Sequence, residues 1–259
     1  NVSEHIKIAK LLLKKGFAYK CYCSVEDLKK EKEAALKKKI PYKYSGKCRN
    51  IKEPLSDKFV LRIKVPHKGL LKLQDKIQGS VTIDYNNLED FIILRSDNTP
   101  TYMLAVVVDD HIMNISDIIR GDDHLTNTFK QIIIYNALEW KVPKFSHIPL
   151  IYGPDGSKLS KRHGAQSVLD YKKERFMPEA LNNYLLRLGW GHKDKEFFSV
   201  DEAINLFNIE GIGKSPSKFD KIKLESVNTY YFKKLNSEQV LKILSPEHKQ
   251  NNTKNLFDL

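Results

Sequence analysis

The chain has 259 residues and carries 44 lysines and arginines against 32 aspartates and glutamates, a formal net charge of +12 at pH 7. This excess indicates an anionic partner, nucleic acid first and a membrane surface second, unless it reflects only a lysine-rich proteome. No apolar run approaches the ~18 residues that span a bilayer, and we see no signal-peptide pattern. We therefore expect a cytoplasmic protein with no membrane association.

The first third of the chain is predicted to combine two helices with short strands. Apolar side chains recur at helical spacing over residues 2–15, which predicts an amphipathic helix. Ser24 can cap a second, lysine-rich helix that runs to about Lys39. The apolar residues of the segment 59–65 alternate, which is typical of a half-buried strand. Short strands are expected at residues 17–23, 59–65, 80–83 and 91–94.

The middle of the chain is predicted to contain a strand–helix–strand unit. The apolar run 102–113 fits either element by its period, and its length favours a helix. A short buried strand is expected to end at Arg120, and a helix follows it. Another strand is expected over 147–152. This order indicates a βαβ unit and a parallel sheet. The inner face of the helix is predicted to hold Leu125, Phe129, Ile132 and Ile133.

The chain beyond Gly164 is predicted to be helical. Pro178 can start one helix, which Gly189 ends. Ser199 can cap another helix that runs to about Phe207. Taken together, the predicted elements indicate an α/β protein.

Positive charge is concentrated where two of the predicted strands end. In open parallel sheets, ligands bind at the carboxyl ends of the strands. Arg120 ends one strand and could bind a carboxylate or phosphate through its fork of N–H donors, or pair with Asp122 or Asp123. Lys158, Lys161 and Arg162 follow the next strand and suit a polyphosphate, or form a solvated loop. The glycine spacing of this loop differs from that of a Walker A motif.

The residues 158–162 read KLSKR, which resembles the KMSKS signature of class I aminoacyl-tRNA synthetases in a form common among glutamyl-tRNA synthetases. The resemblance extends over residues 2–235 and implies a partial Rossmann-type catalytic domain with an α+β insertion and a following helical domain. Other segments that resemble the same family, in the same order, are GFAYKCYCS, YSGKCRNI, SDNTPTYMLAVVVDDHIM, IRGDDHLTNTFKQIIIYNALEW, MPEALNNYLLRLGW and KSPSKFDKIKL.

The resemblance also implies a division of the chain into five segments. These are a helix of the first Rossmann half (1–16), an insertion that binds the tRNA acceptor end (17–96), the second Rossmann half with the KLSKR loop (97–160), a helical domain that contacts the tRNA stem (161–235), and the start of an anticodon-binding domain (236–259).

The activity implied by the resemblance is that of a glutamate–tRNA ligase. Such an enzyme activates L-glutamate with ATP and Mg²⁺ and transfers it to tRNA(Glu). By the same resemblance, glutamate contacts Tyr102, Val106 and Arg120. Lys158 and Lys161 are the expected catalytic residues. The expected ATP-binding residues are Lys158, Leu159, Ser160, Lys161 and Arg162 in the loop, with Asp123, His124 and Leu125 beside the adenosine.

One departure from the family concerns its other signature, the HIGH-type motif. The family carries this motif many tens of residues before the position of Cys21, and HIKI at 5–8 lacks its glycine. We therefore expect the chain to be an internal piece of a longer, monomeric enzyme, inactive by itself. Two alternatives stay open: a glutamyl-queuosine tRNA(Asp) synthetase and a non-catalytic tRNA-binding module.

The three cysteines are too few for a disulfide framework and lie close together in the sequence. On a strand, Cys21 and Cys23 point to the same face, so their sulfurs can meet one ion. Cys48 adds a third thiolate, one ligand short of a tetrahedral site. Tyr44 resembles the fourth ligand of a glutamyl-queuosine tRNA(Asp) synthetase. The alternatives are a structural zinc site and three metal-free thiols.

Overall fold

The computed structural model describes residues 1–159 and 166–244, and it divides into two compact units, the first ending at His147 and the second starting at Ile148. The first unit begins with helix α1 (Val2–Lys14), which buries Ala9 and Leu12. Its apolar face follows the helical spacing, so the prediction of this helix is confirmed.

A three-stranded antiparallel sheet follows, with β2 (Val60–Ile63) between β1 (Ala18–Cys21) and β5 (Ile92–Leu94). Helix α2 (Val25–Lys37) lies between β1 and β2 in the chain. The prediction that β2 is half-buried was wrong. Arg62 is buried together with its two apolar neighbours because its guanidinium donates to the carbonyl of Asp90 at 2.6 Å.

A second sheet has the strand order β4-β3-β7-β6. Strands β3 (Leu70–Asp75) and β4 (Gly79–Asp84) form an antiparallel hairpin, and β3 pairs in parallel with β7 (Lys144–Ile148) where Asp75 meets Phe145. The sheet therefore contains a parallel pair, as expected, but this pair joins β7 to β3 and was not itself predicted. Strand β3 was not predicted from the sequence.

Helix α3 (Tyr102–Ile112) precedes a strand–helix–strand unit made of β6 (Asp117–Gly121), α4 (Leu125–Leu138) and β7. Strands β6 and β7 are neighbours in the sheet, so the predicted unit is confirmed. Two details were wrong. Strand β6 is not buried, since Ile119 is 52% exposed. The strand predicted over 147–152 ends at Ile148, because Pro149 has no N–H to continue a ladder.

The first unit has one hydrophobic core to which α1, the strands of both sheets, α3 and α4 all contribute. Its completely buried side chains include Ile63, Ile93, Leu104 and Ile134. Side chains from positions 9 to 145 thus share one core. Strand ends and helix starts within this unit are therefore held at fixed positions.

The second unit begins with β8 (Ile151–Tyr152), which pairs in parallel with β9 (Ser217–Lys218). The helices predicted at 178–189 and 200–207 are confirmed, with Pro178 in the first turn of one and Ser199 capping the other. No helix in the described part of the chain is both long and apolar enough to cross a bilayer. The helices of this unit are α5 (Val168–Lys173), α6 (Pro178–Gly189), α7 (Val200–Leu206), α8 (Lys221–Phe232) and α9 (Ser237–Leu244).

Candidate functional site

Arg120 lies near the end of β6, where its guanidinium is half-buried and held by polar side chains. Its Nη2 donates to the hydroxyl of Thr128 at 2.6 Å and to Oε1 of Gln131 at 2.7 Å. Both partners are on the inner face of α4 and are buried. Burial lowers the pKa of Arg120, although Tyr102 and Asp110 oppose this effect. The arginine side chain is therefore fixed in one orientation while part of it stays accessible.

Tyr102 lies beside this arginine and contacts His124. Tyr102 is the first residue of α3, and its hydroxyl is 3.4 Å from Nδ1 of His124. The two rings meet edge to face with their centres 5.9 Å apart. The Tyr102 side chain also interacts with Arg120. The structure thus brings together three residues that the sequence assigned to the glutamate and ATP sites.

The remaining predicted residues of this unit lie next to the same three. Val106 follows Tyr102 by one helical turn and packs partly against the core. Asp123 is in a single 3-10 turn, Asp122–His124, and Leu125 starts α4. Helix α4 therefore begins at the residue that follows His124.

A buried pair of an imidazole and a carboxylate lies behind Arg120. Nδ1 of His147 is 2.6 Å from Oδ2 of Asp75, and both side chains are completely buried. Nε2 of the same imidazole is 2.9 Å from the Thr128 hydroxyl and 3.4 Å from Nε of Arg120. Sequence reasoning missed these residues and Gln131. One available signal was that Thr128 and Gln131 are polar positions on an otherwise apolar helix face.

Lys158 and Leu159 lie in the second unit, on a tight hairpin after β8. The amide of Leu159 donates to the carbonyl of Ile151 at 2.9 Å, and that of Gly153 to Ser157 at 2.8 Å. Gly156 has φ +78°, which favours glycine. The hairpin presents Lys158 on the surface. Three further predicted residues, Ser160, Lys161 and Arg162, lie outside the described residues.

The three cysteines meet Tyr44 in one cluster. The Tyr44 hydroxyl is 3.2 Å from the sulfur of Cys21 and 3.4 Å from that of Cys23, which is itself 3.5 Å from the sulfur of Cys48. All three sulfurs lie within 4.8 Å of one another. A tetrahedral zinc ion would place sulfurs about 3.8 Å apart and sulfur and oxygen about 3.5 Å apart. The donor set and its spacing therefore fit zinc.

The electrostatics of this cluster differ between its thiols. The Arg62 guanidinium lies 3.8 Å above the centre of the Tyr44 ring. Burial works against ionisation of Cys21, but hydrogen bonds from Tyr44 and Arg62 hold the pKa of its thiol below the ordinary value. Burial raises the pKa of Cys23 to about 12. Cys21 is thus the thiol prepared to ionise first.

A family model described as tRNA synthetases class I (E and Q), catalytic domain, matches residues 2–226 of the chain. The chain belongs to this family. The fold expected from the sequence, a class I synthetase catalytic domain, is thereby confirmed. Within such a synthetase, the residues around Arg120 belong to the catalytic part.

Relatives of this synthetase chain support the same assignment. Glutamate–tRNA ligase 1 from Ehrlichia canis is 50% identical over 95% of the chain and 53% of the relative, and a glutamate–tRNA ligase from Pelagibacter ubique is 51% identical over 92% and 52%. The crystal structure of a glutamate tRNA ligase from Elizabethkingia meningosepticum in complex with its amino acid has a TM-score of 0.81 and 27% identity, covering 93% of this chain and 55% of that one. The chain spans about half the length of the curated relatives it matches.

Proposed function

We propose that the chain is part of a glutamate–tRNA ligase and carries the residues that recognise the glutamate side chain. The observation that supports this most directly is Arg120, a half-buried guanidinium fixed by Thr128 and Gln131 beside the hydroxyl of Tyr102. A planar fork of N–H donors matches a carboxylate in geometry and charge. Relatives at about half identity that are described as glutamate–tRNA ligases favour this function over both alternatives.

Each group has a role in the proposed reaction. Arg120 binds the side-chain carboxylate of glutamate, Tyr102 adds a hydroxyl contact, and Val106 forms an apolar wall. Asp123, His124 and Leu125 lie beside the adenosine of ATP. The loop residues Lys158, Leu159, Ser160, Lys161 and Arg162 contact the phosphates of ATP, which binds as its Mg²⁺ complex, and charge on Lys161 stabilises the transition state.

We also propose that Cys21, Cys23, Cys48 and Tyr44 hold a structural zinc ion. Three of the separations among the four donor atoms are 3.2–3.5 Å and the three sulfurs lie within 4.8 Å of one another, close to what a tetrahedral zinc ion requires, which supports this assignment. An ion held there would join β1 to the segment that contains Tyr44 and would supply no chemistry to the reaction.

The partners of the intact protein follow from the proposed reaction. They are L-glutamate, ATP and tRNA(Glu), with the acceptor end on residues 17–96 and the stem on residues 161–235. We expect the enzyme to act in the cytoplasm, where tRNA is used, and as a monomer. The five-segment division stays a prediction.

Replacing Arg120 tests the proposed function. In the full-length protein we expect Arg120→Ala to raise the KM for glutamate by about 10- to 100-fold, because a hydrogen-bonded charge pair with the substrate is lost. The KM for ATP should stay within about twofold of its original value. Aminoacylation of tRNA(Glu) at varied glutamate and ATP concentrations measures both.

Arg95→Ala is the matched control. The Arg95 side chain is exposed, and the hydrogen bond it donates within the described residues goes to the backbone carbonyl of Pro100. This variant should leave both KM values unchanged. An unchanged glutamate KM in Arg120→Ala would contradict the proposed role of Arg120.

A further inference from the structure

The side chains behind Arg120 form a continuous chain of hydrogen bonds that the proposed reaction does not use. Nε of Arg120 and the Thr128 hydroxyl both face Nε2 of His147, at 3.4 and 2.9 Å. Nδ1 of His147 faces the carboxylate of Asp75 at 2.6 Å. The chain therefore leads from the candidate substrate-binding group to a completely buried acid.

The hydrogen bonds to Asp75 determine the state of the imidazole. Burial opposes ionisation, but donors from Gln78, His147 and Ile77 hold the pKa of this carboxyl below its ordinary value. The three backbone amides donate to its oxygens at 2.9–3.1 Å. An ionised carboxylate can only accept, so Nδ1 of His147 carries the proton. In the neutral ring, Nε2 is then an acceptor.

An acceptor is what the guanidinium requires at this position. Arginine has five N–H donors and no acceptor, so an N–H on Nε2 of His147 would oppose the Nε–H of Arg120. The Thr128 hydroxyl lies 2.9 Å from Nε2 of His147 and 3.2 Å from the carbonyl of His124. With Nε2 as acceptor, the hydroxyl can donate to the nearer of these two atoms while it accepts from Nη2 of Arg120, and the Nε2 lone pair is shared with the more distant Nε–H of Arg120. Together with Gln131, these contacts occupy the Nε and Nη2 sides of the fork. The contacts of Arg120 with these three side chains leave its Nη1 end for a ligand carboxylate, and Tyr102 also acts on the guanidinium.

We propose that Asp75 and His147 are positioning residues that orient the Arg120 guanidinium for the carboxylate of the substrate. This inference rests on the proposed function, in which Arg120 binds glutamate. Asp75 fixes the Nδ1–H tautomer of His147, and the imidazole presents its acceptor to the arginine.

A purely structural role for Asp75 makes a different prediction. The same carboxylate holds the turn after β3 through the amides of Ile77 and Gln78. Loss of this turn would disturb the sheet and lower activity with glutamate and ATP alike. A positioning role affects glutamate selectively, so a comparison of the two KM values separates the two roles.

Asp75→Asn in the full-length protein provides this comparison. An asparagine keeps an acceptor oxygen for the backbone amides but can turn its NH₂ toward Nδ1, which places the proton on Nε2 opposite Arg120. We expect the glutamate KM to rise at least about tenfold, the smallest effect of losing one hydrogen bond to a charged group. The ATP KM should stay within about twofold.

His147→Gln is the matched variant, since its Oε1 can accept from Arg120 and Thr128 without help from Asp75. In the His147→Gln background, we expect Asp75→Asn to change the glutamate KM by less than about threefold, because neighbouring residues in one network couple. Equal effects of Asp75→Asn in both backgrounds would overturn the proposal. So would equal rises in the two KM values.

Arg120→Ala distinguishes failure of the inference from failure of the proposed function. If Arg120→Ala raises the glutamate KM and Asp75→Asn does not, the positioning role alone is wrong. If neither variant raises the glutamate KM, both the positioning role and the proposed function of Arg120 are wrong. Should Asp75→Asn fail to fold, ¹⁵N NMR of the unmodified full-length protein decides the question. A neutral His147 protonated on Nδ1 supports the proposal, and a proton on Nε2 overturns it.

Discussion

Tyr44 gives the cysteine cluster its fourth donor, and its replacement tests the zinc proposal. Tyr44→Phe keeps the ring beneath Arg62 but removes the oxygen that lies 3.2 and 3.4 Å from two sulfurs. We expect the unmodified protein to contain about one equivalent of zinc and Tyr44→Phe to bind it at least about tenfold more weakly. Elemental analysis and chelator competition measure the two quantities.

Tyr42→Phe is the control for this experiment, because the Tyr42 hydroxyl contacts Glu31 and not the sulfurs. It should leave zinc affinity unchanged. Zinc below about a tenth of an equivalent in unmodified protein purified without chelators would refute the site. Equal affinities of the Tyr44→Phe and unmodified proteins would remove Tyr44 from the ligand set.

At the scale of single residues, the sequence located most of the candidate site but not its support. Arg120 could be named because it ends a predicted strand, and Tyr102 because its segment resembles the glutamyl-tRNA synthetase family. Asp75 and His147 could not, because neither neighbours the other in the sequence. Their pairing depends on β3 and β7 lying side by side, which only the sheet order establishes.

Among the elements, α2 depends little on the hydrophobic core, since none of its side chains is buried. Its first turn is held by the Ser24 hydroxyl, which accepts from the amide of Asp27 at 3.0 Å. Removing such a cap costs about 1 kcal/mol. In Ser24→Ala, we expect amide hydrogen exchange over residues 25–27 to accelerate about fivefold, with little change in the overall Tm.

Ser24→Asp retains a capping oxygen and should preserve the slow exchange. Ser24→Ala with unchanged protection would show that the helix is held by its contacts further along, such as that of Glu31 with Lys47 at 3.2 Å.

The helices were easier to predict than the strands for a physical reason. The predicted helices of both units repeat apolar residues over three turns and carry their own caps or stop signals. Strand β3 has a clear alternation, with Leu71, Leu73 and Asp75 facing inward. Its third inward residue is an acid, so a search for alternating apolar residues does not identify this strand. The sheet order could not be predicted, because it is set by contacts between distant segments.

For the molecule as a whole, the net charge of +12 predicts strongly salt-dependent binding of tRNA. Three or more neutralised phosphates would lower the affinity at least about tenfold between about 50 and 200 mM salt. Because α2 is exposed and rich in lysine, we expect glutamine at Lys29, Lys30 and Lys37 to flatten this dependence. Filter binding of tRNA(Glu) to the full-length protein at several salt concentrations measures the slope.

Glutamine at Lys7 and Lys10, which are exposed on α1, provides a control that removes two positive charges elsewhere, against three in α2. These changes should leave the slope nearer to that of the unmodified protein. A slope close to zero in the unmodified protein would mean that the positive charge does not contact phosphates.

The 72-residue separation of Asp75 and His147 has a consequence for the order in which the molecule is built. During synthesis, the β3–β4 hairpin can close from local contacts as soon as Asp84 has left the ribosome. The Asp75 carboxylate already accepts from the amides of Ile77 and Gln78 at this stage, while residues 85–146 are still to be added. Thr128 and Gln131 can hold Arg120 earlier, but the support from Asp75 is complete only when His147 has been added. The full orientation of the substrate-binding arginine is therefore among the last properties that the growing first unit acquires.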